Sequence, residues 1–288
     1  MKLALIIAVY NRTDLESVVL NRFKKQSVKY GFEIIVAGSE GDISKGIAEG
    51  CHYIEVENNP VSKKHNAMLT KAKELKVDGV CLFGSDDMVN DAYFDYIYSL
   101  NKNESELIGL DAIYFHDTLT QQLSFFNPED RAYTIGAGRF FSKKVLDKMN
   151  WQLWDNDLNK GLDHNCSNRL RTKGIGEKVV SLRKNNIFMV DIKHMQSITN
   201  RVILEVGKRV PYHILTEGLG HYTIEKIKPL YARKLEISGL NIKPTDEVMV
   251  IGTGKKNTIA GHEYLVSGET ALILIAKGVA TLKYGYSN

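Results

Sequence analysis

The chain opens on seven consecutive apolar residues, Leu3 to Val9, which stop abruptly at Tyr10-Asn11-Arg12. A strand with one wet face alternates apolar and polar side chains, whereas a short unbroken run belongs to a strand covered on both faces. Strands of that kind occur in parallel sheets sandwiched between helices. Lys2 followed by an apolar run also resembles the start of a secretory signal, but polar residues end the run at once and no small-residue cleavage site follows. No stretch approaches the roughly 20 apolar residues that a membrane span needs.

The next residues continue the alternation. Thr13 or Asp14 is placed to cap a helix whose apolar positions Leu15, Val18, Val19 and Phe23 follow the helical period. Glu33 to Ala37 reads as a second strand and Tyr53 to Val56 as a third. Ser62 would cap a helix with Met68, Leu69, Ala72 and Leu75 on one face, and Gly79 to Phe83 is a further buried strand. This β-α-β-β-α-β order implies a mostly parallel sheet, in which ligands bind beyond the carboxyl ends of the strands. Short strands are expected at Ala112 to Phe115, Leu123 to Phe126 and Ile187 to Val190, with helices from Ser142 to Met149 and from Asp163 to Arg171. A helix from Tyr222 to Arg233 leads into strand runs Glu247 to Ile251, Tyr264 to Val266 and Thr270 to Ile275, separated by Gly-rich turns. The expected division is an α/β domain over 1–233 and a small all-β module over 234–288.

Bulk composition narrows the function. Hydrophobic residues make up 43% and charged residues 25% of the 288, enough for a packed core and against disorder. A net charge of +4 suits an anionic ligand such as a nucleotide and is too weak to argue nucleic-acid binding by itself. Cys51, Cys81 and Cys166 form neither a C-x-x-C nor an even disulfide set, so a reducing, cytoplasmic setting is expected.

Four strand ends supply polar residues to one side of the sheet: Tyr10-Asn11-Arg12, Gly38-Ser39-Glu40-Gly41-Asp42, Lys63-Lys64-His65-Asn66 at the start of a helix, and Gly84-Ser85-Asp86-Asp87. The acid pair is the sharpest feature. Adjacent carboxylates at the mouth of an apolar strand repel each other and cost desolvation energy. A bound Mg2+ or Mn2+ removes that penalty, because hard cations take oxygen ligands. The competing reading is a helix N-cap with an acidic first turn, and the residue types alone leave the two level.

The ordered set of Tyr10-Asn11-Arg12, the helix carrying Asn66, Ser85-Asp86-Asp87, and Gly161-Leu162-Asp163-His164 leading into Asn168-Arg169-Leu170 resembles the GT-A glycosyltransferases, within them the family-2-like group. The resemblance spans about the first 200 residues and implies a Rossmann-like nucleotide-sugar-binding domain. It implies that Tyr10 stacks on the base, Asp86 contacts the ribose, Asp87 binds Mn2+ or Mg2+, and Lys63 or Lys64 meets the base or diphosphate. For either lysine alone, a solvated helix start is the plainer reading, and Tyr10 also reads as a strand-end aromatic packed on the core. Asn11, Arg12, Asn66 and Ser85 fall in the same implied nucleotide-sugar site. Asp163 matches the catalytic base that takes the acceptor hydroxyl proton; its alternative is a helix N-cap. His194 is a candidate for completing the metal shell, with Asp191 as its rival. Trp151 and Trp154 read as sugar-stacking or core residues, and Gly136-Ala137-Gly138-Arg139 as a backbone approach to the donor with Arg139 near phosphate, or a simple turn.

Two departures stand out. The Asp pair that family members carry after strand two is Gly38-Ser39-Glu40 here, leaving Glu40 or Asp42 to substitute, and the first acid of the usual D-x-D is Gly84. The implied function is a metal-dependent, inverting transfer of sugar from a nucleotide-sugar donor, a UDP-sugar foremost, to a hydroxyl acceptor. Three alternatives are carried. One is a glycosyltransferase of DNA bases that holds nucleic acid through Lys243, Lys255, Lys256, Lys277 and Lys283 of the tail. Another is a non-catalytic nucleotide-sugar-binding protein, and the third a nucleotidyltransferase. A stability or homo-oligomer role for the tail is the plainer reading of those lysines.

Overall fold

A computed structural model describes residues 1–118, 121–128, 134–193, 207–227, 247–252, 260–267 and 280–282. The amino-terminal run forms β1 (Leu3–Ala8), followed by α1 (Thr13–Tyr30), β2 (Glu33–Gly38), a short α2 (Asp42–Ile47), β3 (His52–Glu55), α3 (Val61–Glu74) and β4 (Gly79–Gly84). These four strands are parallel, in the order β3, β2, β1, β4. The sheet continues past β4 through β9 (Arg139–Ser142), antiparallel to it, to β6 (Leu107–Leu110) and β10 (Glu177–Val180), giving seven strands. Helices α4 (Asp91–Ser99), α5 (Lys143–Lys148) and α6 (Leu162–Thr172) complete the covering layers. The α/β architecture is the one expected.

β1 shows why its sequence is apolar throughout. Successive side chains of a strand point to opposite faces. Leu3, Leu5 and Ile7 pack in one core with Leu15, Val19 and Phe23 of α1 and Phe94 of α4. Ala4 and Ile6 pack in a second core with Met68, Leu69 and Ala72 of α3 and with Leu146, Trp154 and Leu170. Both faces are dry, so neither set tolerates a polar residue.

A second, five-stranded sheet runs in the order β12 (Lys208–Val210), β8 (Leu123–Phe126), β7 (Ile113–Asp117), β11 (Met189–Lys193), β5 (Asp87–Val89). β5 follows β4 after two residues, so Ser85 and Asp86 connect the two sheets. A short α7 (His213–Leu219) and a helical segment over 221–227 follow. The tail contributes β13 (Glu247–Gly252), paired with β14 (Glu263–Ser267) and β15 (Ala280–Leu282) in a small antiparallel sheet. The expected strand at Thr270 to Ile275, the domain junction at 233/234 and the five tail lysines lie outside the described residues.

The helix caps differ from expectation. α1 starts one residue after Arg12 with no side-chain cap, so neither Thr13 nor Asp14 serves. Ser62 does not cap α3: its backbone N–H donates to Leu158 O, and its Oγ accepts from Leu158 N–H, each at 3.0 Å. The hydroxyl is occupied by a docked loop, which removes it from the helix end. Asp163 is not the N-cap of α6 either; Gly161 takes that position. Ser142 does cap α5, accepting from Val145 N–H.

Candidate active site

The Asp86-Asp87 pair stands where the two sheets meet and caps no helix; α4 begins only at Asp91. β5 and β11 run antiparallel with Asp87 directly opposite Asp191. Cross-strand partners share a face, so the register sets these two carboxylates side by side. Asp86 joins them from the turn, where its carbonyl accepts from Ile192 N–H at 2.8 Å. One oxygen from each of the three lies within 4.8 Å of the others.

The surroundings partly neutralise them. Arg12 donates to Asp86 through one amino nitrogen and to Ser85 Oγ, 2.7 Å, through the other. Ser85 in turn donates to Glu16 Oε1 at 3.2 Å, and Glu16 also accepts from Tyr10 N–H at 2.7 Å. Lys193, fully buried, donates to Asp191 Oδ2. Burial, then the neighbouring Asp191 and Asp86, pushes the Asp87 carboxyl well above the usual carboxylate range. Burial and Asp86 raise Asp191 to about 6 against the pull of Lys193. Burial also raises Glu16. For Arg12, burial opposes the charge, but Asp86, Glu16 and Asp191 outweigh it and the guanidinium stays protonated.

A divalent cation fits this set. The donors are hard oxygens. Asp191 Oδ1 is buried and meets no hydrogen-bond partner, an unsatisfied acceptor on one of the three acids. Four acids (Glu16, Asp86, Asp87, Asp191) against two bases leave two negative charges when all are ionised. Gly84 leaves room: a Cβ there would come within 2.7 Å of Asp86 Oδ1 and 2.9 Å of Asp87 Oδ2. Asp191, arriving from another strand, brings a third carboxylate to this pair. His194 lies outside the described residues.

A cavity of about 440 Å3 joins Asp86, Asp87, Asp191 and Lys193 to a second group of residues, His65, Trp154, Asp163 and His164, and to the Gly136 backbone. Asp163 sits in the first turn of α6, exposed to this space. Arg139 is buried and spent on structure: it donates to Thr134, Ile135 O, Asp163 O and Ser167. It holds α6 to β9 and is not available to a phosphate in this arrangement. Trp154 is likewise buried, its indole N–H on Leu162 O at 3.2 Å.

Other expected site residues stand around the strand ends without lining that cavity. Tyr10 is 44% exposed beside the buried ammonium of Lys64, which is 5.4 Å from its ring centre. Lys64 is no solvated helix start: it donates to Val9 O, Ser39 Oγ and Asn58 Oδ1 at 2.8 to 2.9 Å, and burial lowers its pKa to about 8. Glu40 accepts from Asn11 N–H at 2.8 Å, strapping the loops after β1 and β2 together. Asn66 grips the loop after α5, donating to Trp154 O and Asn156 Oδ1 at 2.8 Å. Sequence reasoning gave no role to Glu16, Lys193 or His65. Glu16 carried a legible signal, a charged residue on the apolar stripe of Leu15, Val19, Leu20 and Phe23. Lys193, two residues past Asp191 on one strand, necessarily shares its face.

No protein-family model matches the sequence, and no curated protein does. Among solved structures the chain is similar to a Drosophila β1,4-galactosyltransferase 7 in complex with manganese, UDP-Gal and xylobiose, at 13% identity and TM-score 0.44, covering 72% of this chain and 80% of that one. It is similar to a mannosyltransferase from Pyrobaculum calidifontis in complex with GDP-Man and Mn2+, at 12% identity and TM-score 0.46, covering 82% and 74%. It is also similar to a cytidylyltransferase from Leptospira borgpetersenii, at 15% identity and TM-score 0.38, covering 62% and 75%. Likenesses this distant leave the chemistry to the site's own residues. No helix among the described residues is long and apolar enough to cross a membrane.

Proposed function

We propose that this chain is a metal-dependent, inverting glycosyltransferase that moves a sugar from a nucleotide-sugar donor, a UDP-sugar foremost, to a hydroxyl acceptor. The observation that carries the reading is the pairing, within one cavity, of a three-carboxylate cation cluster holding an unsatisfied acid oxygen with a separate carboxylate, Asp163. Asp86, Asp87 and Asp191 would hold Mn2+ or Mg2+. When bound, such a cation supplies positive charge to the donor diphosphate and to the charge that develops as it leaves. Arg12 and Lys193 offset part of the cluster's charge and hold Asp86 and Asp191 in place.

Asp163 is the one carboxylate lining the cavity outside the cation cluster among the described residues. One free base is what a single displacement needs. It takes the proton of the acceptor hydroxyl as that oxygen bonds to the anomeric carbon. The bond from that carbon to the diphosphate oxygen breaks, and the nucleoside diphosphate departs. A nucleotidyltransferase would use the cation cluster equally well, but would leave Asp163 without a task.

Two measurements test this. Thermal unfolding against a panel of nucleotide sugars should show stabilisation by UDP-sugars that depends on added Mn2+; a chain that no nucleotide sugar stabilises, with or without Mn2+, is not this enzyme. Asp163→Asn should keep donor affinity within about twofold and lose about 10²-fold or more in turnover. Undiminished turnover would strip Asp163 of the base role.

A further inference from the structure

We propose that His65 reads the sugar: its Nε2 accepts a hydrogen bond from a hydroxyl of the transferred sugar, in the part of the cavity shared with Asp163. The inference rests on the sugar-transfer reading above and goes further in naming the group that recognises the sugar rather than the nucleotide.

His65 lies on the first turns of α3, and its ring lines the cavity together with Trp154, Asp163 and His164. Nδ1 is 3.1 Å from Val61 O, one helical turn back. A carbonyl oxygen attracts only a protonated nitrogen, so the proton sits on Nδ1 and the lone pair on Nε2. Burial pulls the imidazole pKa below its ordinary value, which keeps the ring neutral despite Asp163 nearby. Nε2 meets no donor among the described residues.

The ring is also fixed. Its centre is 5.1 Å from the Trp154 ring, and the next residue, Asn66, holds the Trp154 backbone. A group bonded to a helix carbonyl on one edge and packed against a tilted indole presents its remaining edge in one direction, the condition for a recognition residue. A neutral acceptor selects a hydroxyl donor. The diphosphate is all acceptor and belongs with the cation cluster. A hydroxylated ring next to the base that activates attack on its anomeric carbon satisfies both His65 and Asp163.

The test compares dissociation constants, measured calorimetrically with Mn2+, for UDP-glucose, UDP-galactose and UDP-N-acetylglucosamine against UDP, and for GDP-mannose against GDP. His65→Phe keeps a ring for Trp154 and removes the acceptor; His65→Gln restores an acceptor. For the sugar the wild type binds best, His65→Phe should raise the ratio of nucleotide-sugar to nucleotide dissociation constants about 5- to 10-fold. The parent nucleotide should bind within about twofold of wild type, and His65→Gln should recover part of the loss. An unchanged ratio in His65→Phe would overturn the assignment while leaving sugar transfer intact. Equal loss of nucleotide and nucleotide sugar in both variants would reduce His65 to a structural residue. A wild-type chain that binds none of these ligands would remove the enzymatic reading and this one with it.

Discussion

Asp163 owes its position to a missing side chain. A Cβ on Gly136 would lie 2.2 Å from Asp163 Oδ1 and 2.3 Å from Oδ2, far inside any real contact. The obstacle is the end of a rotatable side chain, so Gly136→Ala moves the carboxylate rather than the fold. A base displaced by about 1 Å loses about 10²-fold in rate when the geometry of attack matters. Gly136→Ala should therefore cut turnover by that order, with donor affinity and unfolding temperature near wild type. Steady-state kinetics beside a thermal melt checks this; full activity would mean Asp163 does not work from where it stands. The same argument shows what a residue-by-residue reading can see. Asp86, Asp87 and Asp163 were visible as acids at strand and helix ends. The need for glycine at 84 and 136 was not, because the clash it avoids is with residues two to 27 positions away.

Elements decide what those residues meet. β1 to β4 were legible because a period of two or 3.6 is written locally, and a strand dry on both faces admits only apolar residues. β5 was missed: three residues have no period, and its existence depends on β11, a hundred residues on. That one pairing turns Asp191 from a rival into a partner of Asp87, and brings in Lys193. The caps failed for a related reason. Ser62 has the right chemistry for an N-cap, but the loop at Leu158 claims it. β7 buries a further polar group, His116, whose pKa falls to about 4, through burial first, against the Gln122 carbonyl and Asp117. The unfolded value is near 6.5. The folded state therefore favours the neutral ring: its contribution is complete above about pH 6.5 and is lost as pH falls from there towards 4. Between pH 7 and pH 5 this amounts to about 2 kcal/mol for His116 alone. Urea unfolding at both pH values should show a drop that is smaller by that order in His116→Gln. Equal drops in the two proteins would assign the acid sensitivity to other groups.

For the whole molecule, the balance is between a fold that hides acids and a ligand that needs them. A net charge of +4 gave no hint of a site where four acids meet two bases, because totals do not record where charge is placed. Only the meeting of two sheets makes the cluster, and only the cluster makes its members costly. Asp87 and Asp191 have raised pKa values in the folded chain, Asp191 about 6. For acids the sign is clear: their contribution is intact below the unfolded value near 3.8 and is lost as pH rises through the folded one. At pH 7.5 without a cation, the fold carries that repulsion. Asp87→Asn keeps an oxygen for the Gly84 N–H that Asp87 now satisfies, and removes one charge. In EDTA at pH 7.5 the variant should melt a few degrees above wild type, a gain on the order of 1 kcal/mol. With Mn2+ the order should reverse: wild type gains stability with ligand concentration, and the variant, lacking one of its three ligands, does not. A variant less stable than wild type in EDTA would mean the acids are not a burden on the fold. An equal Mn2+ shift in both would mean the cation binds elsewhere. The predicted crossing is the mark of a site whose construction costs the protein stability until its ligand arrives.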